Sequence, residues 1–361
     1  MSIPKACALL YLFLIAPSLQ YFISISKIKP LIFSLLLFWL LLTVVNIFNM
    51  RNVTLDFLNP QIFQHIILFW IITNHGILRP RVIEKGMLII ATGTIFLSLS
   101  YYFGIGVEVY STELFNQGRV RVFGDNENMI GIRICTALII LFITLYSNKL
   151  NIKWERYLYL LFFPILFYLM ISTGSRVAFI AMSLCVIVFL FLMQASVVKK
   201  IIYSALVFIF IRIYIFPILL QSETLFIRLV QAYSDYDLSS RDVIWGQLFS
   251  IIRDNPILGV GRTGYFSVMG NVSPHNVVLE ILCYSGFIGL TLFGIFFTCI
   301  HLYAWRLYKR ESLIKPILLL IPIWGMVISG QILDKKLIWV VFAYITSQFI
   351  TSEEYKLFKL K

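Results

Sequence analysis

The chain has 361 residues, of which 60% are hydrophobic and only 13% charged. A soluble domain clothes its surface with roughly 25% charged residues, so this composition excludes a soluble globule and makes lipid part of the solvent. The net charge of +13 would suit nucleic acid, but its distribution along the chain rules that partner out.

Eleven apolar runs follow one another: Ala6–Ile25, Leu31–Asn49, Gln61–Leu78, Gly86–Phe103, Met129–Tyr146, Tyr157–Ser172, Val177–Gln194, Ile201–Leu220, Asn276–Ile300, Ile317–Ile332 and Leu337–Thr351. Most approach the roughly 20 residues that a helix needs to cross about 30 Å of hydrocarbon. Continuous runs fit helices rather than a barrel, whose strands alternate in polarity. The predicted fold is all-α, a polytopic transmembrane bundle of about eleven spans. Residues 1–361 form one integral membrane domain, and its long extracytoplasmic loop (221–274) carries an amphipathic helix. No small-residue cleavage site follows the first run, which reads as an anchor.

The loops between the runs differ in charge. Lys27, Lys29, Arg79, Arg81, Lys85, Lys149, Lys153, Arg156, Lys199, Lys200, Arg306, Lys309, Arg310, Lys315, Lys356, Lys359 and Lys361 fall in alternate loops and the tail, beside only Glu84, Glu155, Glu311, Glu353 and Glu354. In the opposite loops cations and acids balance. By the positive-inside rule the basic loops are cytoplasmic and the neutral, longer ones face out, with the N-terminus outside and the C-terminus inside. All five cysteines (Cys7, Cys135, Cys185, Cys283, Cys299) lie within spans without a CxxC pair, which suits small membrane hydrophobes rather than disulfides or metal ligands.

The outward loops hold the chemistry. Gly104–Asn128 and Gln221–Pro274 are too long for connectors and too rich in aliphatics and aromatics for disorder, which favours function. Thr173-Gly174-Ser175-Arg176 makes a short outward turn. Its arginine either snorkels or aims a planar, permanently charged fork at a phosphate. Arg212 sits within a span, where charge is costly and suggests function. Glu280 is its candidate partner, in a structural or a functional ion pair. Asp235-Tyr236-Asp237 imitates a metal-binding DxD pair but reads as a solvated acidic turn, since nucleotide sugars are cytoplasmic.

Ser239-Ser240-Arg241-Asp242 looks like a helix start, with a capping serine and an acid in the first turn. Ile244, Leu248, Ile251 and Ile252 follow at helical spacing, and Asn255-Pro256 ends the helix. About fourteen residues with charges at both ends suit a helix lying along the interface. Gly259 to Gly264 spell a literal GxGxxG, but no strand precedes it, so it is read as a flexible turn that lets backbone approach a ligand. In Ser273-Pro274-His275-Asn276 an imidazole meets the outer rim, where it can take a proton near neutral pH or serve the structure. His65, His75 and His301 have weaker claims.

Taken in order, Thr173 to Arg176, Ser240-Arg241-Asp242 with Trp245, Asn255-Pro256 through Gly259 and Gly261, then His275-Asn276, Leu279 and Ser285-Gly286-Phe287-Ile288-Gly289 resemble the O-antigen ligase and O-antigen polymerase superfamily of bacterial surface-polysaccharide assembly. Arg119 to Asn128, with Phe123-Gly124 and Asn126, is similar to an upstream outer-loop pattern of that family. The resemblance covers residues 119–300; the first four spans match in hydrophobicity alone.

The resemblance implies a glycosyltransferase of the bacterial inner membrane with its site facing the periplasm. It would act on glycan carried by undecaprenyl pyrophosphate, without metal, nucleotide or other cofactor. Ligases pass the finished chain to lipid A-core; polymerases pass it to another lipid-linked repeat unit. Arg176 and Arg241 match the arginines that hold the pyrophosphate, and His275 matches the histidine near the acceptor. Arg119, Arg121, Arg212, Arg262, Asn276 and Glu280 are the supporting candidates. Fixed arginines suit such a reaction, because negative charge develops on phosphate oxygens as the diphosphate leaves. His275 either accepts the acceptor's proton or orients the sugar. About ten residues separate Gly264 from the histidine of Ser273-Pro274-His275, fewer than ligases of that family tend to have and without a second histidine before His275-Asn276, which tilts the reading toward a polymerase. A lipid-linked sugar flippase is the rival from another class, disfavoured by the lack of an internal repeat. The partners implied are the lipid-linked donor and acceptor, membrane lipids, a chain-length regulator and a flippase, and no nucleic acid.

Overall fold

The computed structural model describes residues 10–22, 28–49, 58–109, 119–147, 153–234, 241–270 and 272–359. Within them the chain is almost wholly helical. After a short apolar turn at Leu10–Tyr21 come α1 (Lys29–Asn49), α2 (Pro60–Leu78), α3 (Pro80–Tyr102), α4 (Glu127–Tyr146), α5 (Lys153–Ser172) and α6 (Arg176–Leu192). Then follow α7 (Val197–Gln221), α8 (Glu223–Ser234), α9 (Arg241–Asp254), α10 (Gly261–Met269), α11 (Val277–Glu311), α12 (Lys315–Ser329) and α13 (Lys336–Lys359). The ten predicted runs from Leu31–Asn49 onward each coincide with a helical segment, and Ala6–Ile25 does so over its described part. Five of these helices, α1, α3, α4, α7 and α11, are long and apolar enough to cross a membrane.

Two features depart from the sequence reading. A two-stranded ribbon, β1 (Val107–Val109) and β2 (Val120–Val122), pairs antiparallel in the loop before α4; three-residue strands are too short to register as an alternation. The long loop also contains three helices rather than one. The GxGxxG stretch hid α10, because glycine lowers helix propensity.

The core is one continuous apolar cluster. On one side α2 packs along α13, where Gly76 lets the helices approach Ser347, and α1 packs along α11 through Phe38 and Phe293. On the other, Gly131 brings α4 against Ser175 and Ala178 of α6. Small residues at such contacts allow close backbone approach where helices have no hydrophobic drive to associate. α12 joins the two sides: its Gly325 leaves room for Val177, whose Cγ1 would be 2.7 Å from a Cβ there.

Helix α11 is broken at Gly286 (φ 59°, ψ −161°), and the break explains several motif residues at once. The loop after α9 docks into it as a short extended pairing. The Val260 amide donates to the Cys283 carbonyl at 2.8 Å, and the Phe287 amide to the Pro256 carbonyl at 2.9 Å. A side chain at Gly286 would overlap the Ile257 carbonyl, and one at Gly259 would come within 2.5 Å of the Cys283 oxygen. Gly261, with φ 72°, lies against Asn46 of α1. The glycines therefore bring backbone to backbone and to Asn46, which corrects the expectation of a turn left open for a ligand.

Candidate functional site

Several helix ends meet at one end of the bundle: the starts of α4, α6, α9 and α11, and the last turn of α12. Three of the starts are capped by side chains of the motifs. Asn126 accepts from the Asn128 amide, Ser175 from the Ala178 amide and Asn276 from the Leu279 amide at 3.1 Å. Ser175 also donates to the Asn128 side chain at 3.0 Å, which ties the first two starts together. Helix N-termini carry partial positive charge.

The first group of site residues surrounds the α6 start. The ribbon presents Arg119 and Arg121, two residues apart and so on one face, to the buried Glu127. Arg121 Nε meets Glu127 Oε1 at 2.7 Å and Arg119 Nη2 meets Oε2 at 3.6 Å. Arg119 is itself buried. Its Nε donates to the Thr173 carbonyl at 3.2 Å and its Nη2 to the Asn128 side chain at 3.2 Å. Burial pulls the Arg119 guanidinium below its ordinary pKa; Glu127 opposes that shift, and the like charge of Arg176 adds to it. Arg176 Nη1 donates to the Arg228 carbonyl at 3.1 Å, and Arg228 Nη1 returns a bond to the Gly174 carbonyl at 3.2 Å. Gly174 takes φ 62°, a left-handed turn that glycine adopts without penalty.

The second group surrounds the α11 start. Arg241 Nη2 donates to the Ser329 carbonyl at 3.3 Å, and Asn276 Nδ2 reaches the Ile328 carbonyl at 3.5 Å. Trp245 Nε1 donates to the Pro274 carbonyl at 3.1 Å, holding the lateral helix against the turn that carries His275. That helix buries Leu248 and half-buries Ile244, Trp245, Ile251 and Ile252, while Val243 and Phe249 point outward. It is amphipathic as its spacing predicts. His275 is half-buried and adopts φ 51°, a left-handed backbone uncommon outside glycine, asparagine, aspartate and histidine. Burial lowers its pKa first, and the nearby Arg241 charge lowers it further, so the imidazole is held in its neutral, proton-accepting form.

Both groups pack on α12. Gly325 packs on Val177, the residue after Arg176; one turn further along, the Ile328 and Ser329 carbonyls hold Asn276 and Arg241.

Arg262 and Glu280 form a separate centre. Glu280 is buried, bonds Tyr284 and faces Asp334, Arg262 and Lys335. Arg262 lies over the Phe266 ring, 5.6 Å from its centroid, and reaches Gln61 at 3.5 Å. Arg212 stands apart, exposed on α7 over the Phe216 ring at 5.1 Å. Among the described residues no ion pair joins it to Glu280, which corrects the expected Arg212–Glu280 pair. Arg212 is exposed because the helix that carries it is peripheral: across Val197–Gln221 only Ile215 is buried.

The other histidines hold structure together. His65 Nδ1 bonds the Leu333 carbonyl at 3.1 Å, His75 bonds Tyr11 at 2.9 Å, and His301 accepts from Trp324 Nε1 at 2.7 Å. Asp235-Tyr236-Asp237 and the capping serines Ser239 and Ser240 lie outside the described residues. Sequence reasoning missed Arg228 and Asn128. The helical spacing of Leu225, Phe226, Leu229, Val230 and Tyr233, which marks an amphipathic helix carrying Arg228, was the signal that could have found it.

No curated protein matches the chain. Residues 160–294, which carry Arg176, Arg228, Arg241 and His275, match the model of a family described as O-antigen ligase. That match, over less than half of the chain, supports the resemblance to the O-antigen ligase and polymerase superfamily, and the apolar helices suit a multi-pass membrane protein.

Proposed function

We propose that this protein is an O-antigen or related surface-polysaccharide polymerase of the bacterial inner membrane. It crosses the bilayer eleven times, with the arginine-rich end of the bundle facing the periplasm. It transfers glycan from undecaprenyl pyrophosphate to a lipid-linked repeat unit, without a metal. The observation that carries this reading is the turn of α12 shared by Arg241 and Asn276, beside the helix start of Arg176.

In the reaction the acceptor hydroxyl attacks the anomeric carbon as the carbon–oxygen bond to the diphosphate breaks. The leaving diphosphate takes the electron pair, and Arg176, Arg241 and the neighbouring Arg119 stabilise the charge. Contacts of this kind contribute about 10²- to 10³-fold each. Neutral His275 accepts the hydroxyl proton, a role worth about 10²- to 10⁴-fold. The described contacts of Arg119, Arg176, Arg228 and Arg241 include main-chain carbonyls, which orient each guanidinium.

The second reading is a ligase, favoured by the description of the matching family. The polymerase reading rests on the short path from α10 to His275, in which Gly270 and three further described residues separate the end of that helix from the histidine. A gel of surface glycan from a strain lacking the gene separates the two. Single repeat units on lipid A-core support the polymerase, and bare core with polymer left on the carrier supports the ligase. Loss of outward-facing lipid-linked units supports a flippase, and normal chain lengths refute all three.

A further inference from the structure

A cavity of about 410 Å³ opens between α4, α6 and α7, lined by Phe142, Met182, Val186, Phe189, Leu206 and Phe210 among others. Its size falls within the range of ligand pockets, and the arginines lie outside it. It exists because α7 stands off the bundle: across Val197–Gln221 only Ile215 is buried. Leu206 is 55% and Phe210 52% exposed, so the rest of the chain leaves these apolar side chains uncovered. A chain of methylene or isoprene groups lying against them gains dispersion contacts.

The two helices that wall this crevice lead to the candidate site. α6 starts at Arg176, so at 1.5 Å per residue Met182 lies about 9 Å and Phe189 about 20 Å along it from the arginine. α7 passes through Ser222 directly into α8, whose Arg228 bonds the Gly174 carbonyl beside Arg176. One occupant fits both features: an anionic diphosphate at the arginines with a long apolar tail running down between α6 and α7. We infer that this crevice binds the polyprenyl tail of the glycan donor, an inference that rests on the donor class proposed above.

The test is photo-crosslinking of the full-length protein in nanodiscs with a long polyprenyl diphosphate carrying a mid-chain diazirine. Label is expected on peptides within 182–210, competed by unlabelled polyprenyl diphosphate and not by phosphatidylglycerol. Val186→Trp, which fills the cavity, is expected to reduce that label by about tenfold, given the apolar area at stake. Leu206→Trp, introduced on the exposed α7 where the fold tolerates bulk, is expected to do the same. Label on other helices, equal competition by phosphatidylglycerol, or undiminished label in Leu206→Trp would each overturn the inference. Labelling needs no turnover, so a protein that binds the probe here yet elongates no glycan would refute the polymerase and keep the tail site.

Discussion

His275 allows a sharp experiment, because its backbone and its imidazole can be tested separately. At φ 51° a residue with a Cβ carries about 1–2 kcal/mol of strain that glycine does not. In His275→Gly that relief is offset by about 0.5–1 kcal/mol of extra chain entropy on folding, so the variant should lie within about 1 kcal/mol of the parent. His275→Ala keeps the strain and loses the half-buried ring, so it should be the less stable of the two by about 1 kcal/mol. Both remove the proton acceptor, and elongation should fall about 10²- to 10⁴-fold in each. The assay is chain elongation on a lipid-linked repeat unit in detergent or nanodiscs, beside thermal unfolding of the same preparations. If His275 merely props its turn, glycine should restore activity wherever it restores stability. A His275→Gly variant with near-parental elongation would refute the catalytic assignment.

Other perturbations test the surroundings. Burial and Arg241 hold His275 below its ordinary pKa, so the acid limb of elongation against pH should fall below the usual histidine value of about 6.5. Arg241→Gln should move the limb in the residual activity upward, but not past that value, since burial remains. Stability follows the same sign: as pH drops through the unfolded pKa, the unfolded chain takes a proton that the folded site resists, so the fold weakens toward acid and not toward base. Arg119→Gln should cost about 1.5–3 kcal/mol in thermal unfolding for its lost charge-assisted bonds, and elongation should drop with it. Gly286→Ala should destabilise by about 2–5 kcal/mol, from overlap with the Ile257 carbonyl plus the left-handed backbone, read as loss of folded protein on size-exclusion. Arg212→Ala should leave elongation unchanged and stability within about 1 kcal/mol, the worth of an exposed cation–π contact.

Much of the helical scaffold was legible because lipid imposes a simple rule: continuous apolar runs must be helices. The lateral helix was legible as well, since Ile244, Leu248, Ile251 and Ile252 repeat at helical spacing and do pack inward. What stayed hidden depends on contacts between distant segments. Nothing local marks Gly259 and Gly286 as partners across a broken helix, because their need arises only when Pro256–Val260 pairs with Cys283–Ile288. Arg212 misled for the opposite reason. A mid-run charge looks buried in one dimension, whereas the helix that carries it is peripheral and lets the guanidinium lie over Phe216 on the outside. Arg228 was passed over because its importance lies in a carbonyl 54 positions away in sequence.

The way the arginines are anchored bears on what the site is built to receive. A buried ion pair would fix a guanidinium but spend its charge, and would make a poor receptor for a second anion. Glu127 does this for Arg121 at 2.7 Å, whereas Arg119 is farther from the carboxylate, at 3.6 Å. Main-chain carbonyls at Thr173, Arg228, Gly174 and Ser329 also orient Arg119, Arg176, Arg228 and Arg241. The Thr173 and Gly174 carbonyls belong to the turn before α6 and the Ser329 carbonyl to the end of α12, whereas the Arg228 carbonyl lies within α8. Burial and the like charge of Arg176 both disfavour a charged Arg119, and an anion bound beside it would relieve that cost. An incoming diphosphate would be that anion, bound most tightly when its own charge is greatest, as it leaves the sugar.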